Sequence, residues 1–213
     1  MKKIIFGMIF LASTAVFAGN VGDRAGNGGD AVVCDGGKTA YLLDYVEANL
    51  RGMKVDLGDE NESVRALVER QFQVISKFDP ERVSNRFQEW ARDILADLET
   101  LNINSSAPTK TVRMISDVLN DIDDSKEVAL PVGCEKRQLV VFLGLVSGPT
   151  EWRSPFPEDP FYYIHLPTWK VMSNGQKAMT IMHELWYREL IQDNEAEDSR
   201  GARYINSKMY TND

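Results

Sequence analysis

The chain has 213 residues, 43% of them hydrophobic and 26% charged. That is enough to build a hydrophobic core without metals or dense disulfides, and it excludes a disordered chain. Acidic residues outnumber basic ones by 32 to 24, a formal charge of −8. Nucleic acid and anionic lipid surfaces both call for a basic face, so neither is an expected partner.

Residues 1–18 read as a signal peptide. Lys2 and Lys3 precede an apolar run from Ile4 to Phe17. The run is shorter than the roughly twenty residues of a membrane span, and Val16-Phe17-Ala18 ends it with a small-residue cleavage pattern. The expected product starts at Gly19, has no membrane span and is periplasmic or extracellular. Residues 19–30, rich in Gly, Asn and Asp, read as a flexible arm. Residues 31–213 read as a single α+β domain. Its expected parts are an N-terminal hairpin, a helical block, a small β-sheet and a C-terminal helix hairpin.

Ala31 to Cys34 suggests a strand, Asp35-Gly36-Gly37 a hairpin turn, and Lys38 to Leu42 the returning strand. Leu43 to Leu50 then reads as a helix. Val64, Leu67, Val68, Phe72 and Ile75 recur at helical spacing. Asp79-Pro80 is a helix start, with Asp as N-cap and Pro in the first turn. Val83, Phe87, Trp90, Ile94, Leu98 and Leu101 continue that helix on one face. A third helix is expected around Val112 to Ile122. Glu127 to Pro131, Gln138 to Val146 and Phe161 to Leu166 are strand candidates, the second rich enough in apolar residues to be buried. Prolines 149, 155, 157 and 160 forbid regular structure between the last two. Gly175 to Ile191 reads as a strong helix. Asn194 to Glu197 forms a capping box for a final helix with Ala202, Ile205 and Met209 inward.

The only two cysteines are Cys34 and Cys134. An even count in an oxidising compartment favours a disulfide. Closing a loop of about a hundred residues stabilises the fold by roughly 4–5 kcal/mol in the chain-entropy view.

Chemistry concentrates in Met182-His183-Glu184-Leu185-Trp186-Tyr187-Arg188-Glu189. His-Glu on a helix is half of the zinc-peptidase pattern His-Glu-x-x-His, in which two imidazoles one turn apart bind zinc and the Glu activates water. Tyr187 stands where the second His belongs, and a neutral phenol is a poor zinc ligand. In the catalytic reading His183 and Tyr187 are metal ligands and Glu184 is the base, with a further ligand from Glu195, Glu197 or Asp198. In the structural reading Glu184 and Arg188 form a solvated i,i+4 pair. Glu189, near the middle of the apolar stripe, then needs a cationic partner, for which Arg203 or Arg200 is the natural candidate. His165 sits in the Tyr162–Leu166 strand candidate and is expected to be structural. The aromatic residues between Trp152 and Trp169 are expected to pack as a loop over the sheet.

Gly26–Asp30 with Val32–Cys34, Gly133–Gln138, His183–Arg188 and Asp198–Arg203 together resemble a group of exported proteins of predatory Bdellovibrio-like bacteria to which no activity is assigned. The resemblance implies export and supports pairing Cys34 with Cys134. The leading expectation is an exported, non-catalytic binding or envelope-associated domain without a cofactor, whose partner is a protein or another envelope component. The alternative is a zincin-like hydrolase with zinc on an atypical His-Glu-x-x-Tyr helix.

Overall fold

Two short strands lead into a helix whose first turns bury Asp44 and Glu47 against the C-terminal helices. The structure is a computed structural model, and it describes residues 24–27, 29–103, 129–146, 152–153, 162–192 and 199–211. The described strands are β1 (Arg24–Asn27), β2 (Asp30–Cys34), β3 (Thr39–Leu42), β4 (Cys134–Gln138), β5 (Val140–Val146), β6 (Trp152–Arg153) and β7 (Tyr162–Ile164). The helices are α1 (Leu43–Leu50), α2 (Val64–Ser76), α3 (Pro80–Arg82), α4 (Gln88–Ile103), α5 (Leu166–Val171), α6 (Asn174–Gln192) and α7 (Arg200–Met209). A π-helical segment, Val83–Phe87, joins α3 to α4. The class is α+β, as expected.

β2 is the centre of a three-stranded antiparallel sheet in the order β3-β2-β4. The β2–β3 turn places Asp35, Gly36 and Gly37 at positive φ, the region where Gly costs nothing and Asp little. Ala31, Val33, Ala40 and Leu42 face the main core, while Val32 packs with Leu43 and Val46 in a smaller cluster on the other side. Burial on both faces explains why β2 reads as a continuous apolar run rather than an alternating one. Cys34 lies directly opposite Cys134 in the β2–β4 register, and the two form the expected disulfide across 100 residues of sequence.

The second sheet is built on β5, which pairs antiparallel with β1, β6 and β7. Gly29 joins the sheets: its carbonyl accepts from the backbone N–H of Leu139 and of Val140. Part of the segment expected as a flexible arm is therefore sheet, because β1 and the start of β2 find backbone partners that local sequence does not announce. The single strand expected at Gln138–Val146 divides at Leu139, which ends one sheet and starts the other. Residues 129–131 of the Glu127–Pro131 strand candidate are not extended in any sheet; the strand begins at Cys134. The strand expected at Phe161–Leu166 stops at Ile164, where the Nδ1 of His165 takes Thr168 as partner and Pro167 opens α5.

The remaining boundaries follow local chemistry. Ser63 caps α2 by accepting from the Ala66 N–H, and Asp79 caps α3 by accepting from the Arg82 N–H. The π turn adds one residue to the helical repeat. It leaves Val83 and Phe87 both in the core while Arg82 and Arg86 both reach Glu189. Phe87 meets Trp186 edge-on at 5.0 Å between ring centres, and Phe72 and Trp90 flank it.

α6 is the hub of the molecule. It packs against α2, α4, α7 and β3, and every residue from Ala178 to Glu189 is buried. No described helix is long and apolar enough to cross a membrane. The expected signal peptide, the helix around Val112–Ile122, the Asn194–Glu197 capping box and most of the proline-rich segment lie outside the described residues, as do Glu195, Glu197 and Asp198.

Candidate functional site

β3 runs straight into α1, so Asp44 enters in the first helical turn. A carboxylate there is favoured by the helix N-terminus, and the turn aims it inward instead of at solvent. Opposite stand α6 and α7. His183 Nδ1 lies 2.8 Å from Asp44 Oδ2, and Asn206 Nδ2 donates to the same oxygen at 2.7 Å. Asn206 also donates to the Met179 carbonyl, and the Ser207 hydroxyl donates to the Asp44 carbonyl. An ionised carboxylate can only accept, so this contact makes His183 Nδ1 the protonated nitrogen. Neither Asp44 nor His183 has any exposed surface. Three helices are thus stapled together through one aspartate.

Glu184, next in sequence, points toward the N-terminal segment. Its Oε1 accepts from the Gly29 N–H at 2.6 Å. A Cβ on residue 29 would stand 3.3 Å from Leu42, 3.4 Å from Glu184 and 3.5 Å from His183, so a glycine lets the backbone lie against the His-Glu pair. Asp30 follows and forms a 3.0 Å salt bridge with Lys136.

The electrostatics follow from burial. Burial drives the Glu184 pKa up to about 7; His183 and the Gly29 bond oppose this, while Asp44 and Asp30 reinforce it. For His183 burial disfavours the imidazolium, but the charge and hydrogen bond of Asp44 outweigh it and the pKa rises. Asp30 is also raised, again by burial, with Lys136 pulling the other way. Among the described residues, the buried His183 Nε2, Glu184 Oε2 and Asp44 Oδ1 find no hydrogen-bond partner.

Two sequence expectations change here. Glu184 and Arg188 are not a solvated pair: both are buried, and Arg188 lies 4.4 Å over the Trp90 ring and 3.8 Å from Asp93. Glu189 does not take Arg203. It pairs with Arg86 at 2.7 Å and Arg82 at 3.6 Å, while Arg203 sits 3.4 Å from Glu47 and donates to Ser199. The reason is positional. Glu189 faces the Pro80–Phe87 segment, whereas Arg203 on α7 faces α1.

Of the residues of the expected metal site, the ligand His183 and the base Glu184 share one buried region, and the ring of the other ligand, Tyr187, tilts beside His183 at 6.2 Å. Among the described residues no group of three or more His, Cys, Asp and Glu side chains is arranged to hold a metal ion. His165 acts as the α5 cap. Asp44, Asn206, Ser207, Gly29 and Lys136 were not singled out from sequence. The available signal was the polar stripe Arg203, Asn206, Ser207 at helical spacing beside the inward Ala202 and Ile205. Compared with known proteins, the chain matches no family model, no curated protein and no solved structure.

Proposed function

We propose that this protein is an exported binding or envelope-associated domain that performs no catalysis of its own. One observation carries the reading: the His183–Asp44–Glu184 group is sealed within the core and spends its hydrogen bonds on holding α1, α6, α7 and Gly29 together. A group in that position stabilises and specifies a fold. The disulfide fits an oxidising compartment, and the basic, apolar and small-residue order of the first eighteen residues fits export into one. Protein recovered from outside the cytoplasm is expected to begin at Gly19 by intact mass and to bind isolated cell envelopes saturably, with Glu184→Gln binding as well as the parent. Full-length protein held in the membrane fraction, or no envelope binding, counts against the reading.

A second reading is favoured by a separate observation. Asp44 orients His183 through Nδ1, as carboxylates do for zinc-bound imidazoles, and among the described residues Nε2 and the Glu184 Oε2 have no partner. This is the arrangement a hydrolase on a His-Glu-x-x-Tyr helix would use, with Glu184 as base. Elemental analysis after purification without chelators or nickel resin separates the two. The binding-domain reading expects less than about a tenth of an equivalent of zinc. A full equivalent that disappears in His183→Ala would establish the hydrolase instead.

A further inference from the structure

The disulfide closes one end of the β2–β4 ladder, and the ladder is held unequally along its length. Cys34 and Cys134 face each other with their Cα atoms 4.2 Å apart, the close spacing of a pair that exchanges no backbone hydrogen bonds. The bonded pairs are therefore the alternate ones, Val33 with Glu135 and Ala31 with Arg137, in phase with the Leu139 N–H that donates to the Gly29 carbonyl. At that far end the chain is anchored, because Leu139 and Val140 are both buried. Midway, Lys136 reaches Asp30 at 3.0 Å.

The Cys134 end is fastened differently. Pro131, Val132 and Gly133 lead into β4 exposed, and none of the five β4 side chains is buried. Glu135 and Arg137 pair with each other, along β4 rather than across to β2. No tight turn ties this end to β2, since 100 residues of sequence separate the two cysteines. The bridge packs on the small Val32, Leu43 and Val46 cluster, on the side of the sheet away from the main core that holds α2 and α6. Cys34 and Cys134 are each only half-buried, so the bridge is not sealed from a small thiol.

We propose that the bridge is a redox-operated latch: its reduction by a dithiol releases β4 from β2 as far as Lys136 and opens the β2 edge at Val33, while the main core stays folded. One thiolate of the dithiol bonds to a sulfur of the bridge and expels the other sulfur as a thiolate. The second thiolate then displaces the protein from that mixed disulfide. The dithiol leaves as its own disulfide, and Cys34 and Cys134 take up the two protons it lost. A disulfide acts chiefly by restricting the unfolded chain, so reduction lowers overall stability without removing a contact of α2 or α6. It does remove the covalent fastening of the Cys134 end. What remains there is one bonded pair, Val33 with Glu135, on a strand with no buried side chain, and such a segment opens locally at low free energy. The Lys136–Asp30 salt bridge and the buried Leu139 stop the opening from running further. The latch is independent of the envelope-binding reading, and either can fail while the other stands.

The test is hydrogen exchange by NMR on the 15N-labelled, disulfide-intact protein before and after addition of dithiothreitol, a small dithiol. Before reduction the Val33 and Glu135 amides are expected to be as protected as those of Ala31 and Arg137. After it their protection should fall at least about ten-fold below that of Ala31 and Arg137 in the same sample, while the resonances of α2 and α6 keep their positions. Reoxidation with oxidised glutathione should restore the original pattern. Cys34→Ser combined with Cys134→Ser should show the reduced pattern from the start and no longer respond to dithiothreitol. Even protection along the ladder after reduction, fast exchange at Val33 and Glu135 in the oxidised protein, or collapse of the α2 and α6 resonances on reduction, which would mark a staple of the whole fold, overturns the proposal.

Discussion

Glu184→Gln should make this protein more stable at mildly alkaline pH, and the size of the gain can be worked from the site. Burial raises the Glu184 pKa from an ordinary 4.5 to about 7. Between those values the folded chain holds a proton that the unfolded chain has lost. The contribution is therefore fully present below about pH 4.5 and disappears as pH rises through about 7. At about 1.4 kcal/mol per pH unit, the separation amounts to about 3 kcal/mol lost above neutrality. Glutamine is uncharged throughout and keeps an oxygen for the Gly29 N–H. Urea unfolding with the disulfide intact, over a series of pH values, should show the variant matching the parent near pH 4 and exceeding it by about 3 kcal/mol near pH 8. The raised pKa values of His183 and Asp30 tilt both curves in the same direction, so the difference between the curves isolates Glu184. Parallel curves, or a variant less stable than the parent near pH 8, would refute the account of a carboxylate destabilised by burial.

Asp44→Ala removes the acceptor of two buried bonds, from His183 and Asn206, and should cost about 3–5 kcal/mol. That corresponds to a fall in Tm of about 6–20 °C by calorimetry, and a change within about 1 °C would refute the stapling role. Thiol labelling of the unreduced, denatured chain should find no free sulfhydryl, and replacing Cys34 and Cys134 together with Ser should lower stability by roughly 4–5 kcal/mol in chemical denaturation. Glu189→Ala should cost only about 1–2 kcal/mol, because its partner Arg86 is 42% exposed and can turn to water. Arg203→Ala, which deprives buried Glu47 of a buried guanidinium, should cost about 3 kcal/mol; equal losses for the two variants in matched melts would contradict the assigned pairs.

Where a residue's role depends on its sequence neighbours, the sequence announced it. Asp79-Pro80 could only open a helix, because the aspartate oxygen and the proline φ both suit the first turn. Asp35-Gly36-Gly37 could only turn a hairpin, because three successive positive φ values exclude most side chains. The periodicity of Val64 to Ile75 and the apolar density of residues 175–191 likewise carry their helices.

Tertiary structure alone decided the pairings. Glu189 and Arg203 are a plausible couple on adjacent helices, yet each meets a different element, Glu189 the π turn and Arg203 the first helix. Gly29 reads as part of a mobile arm, but it lies 155 residues away from the glutamate it bonds. Asp44 reads as an ordinary first-turn acid until α6 and α7 close over it. Helical spacing records which face of an element is buried, because burial repeats with the backbone. It holds no record of what lies opposite that face, and the partner of a buried charge is fixed only when distant segments exclude water from the space between them.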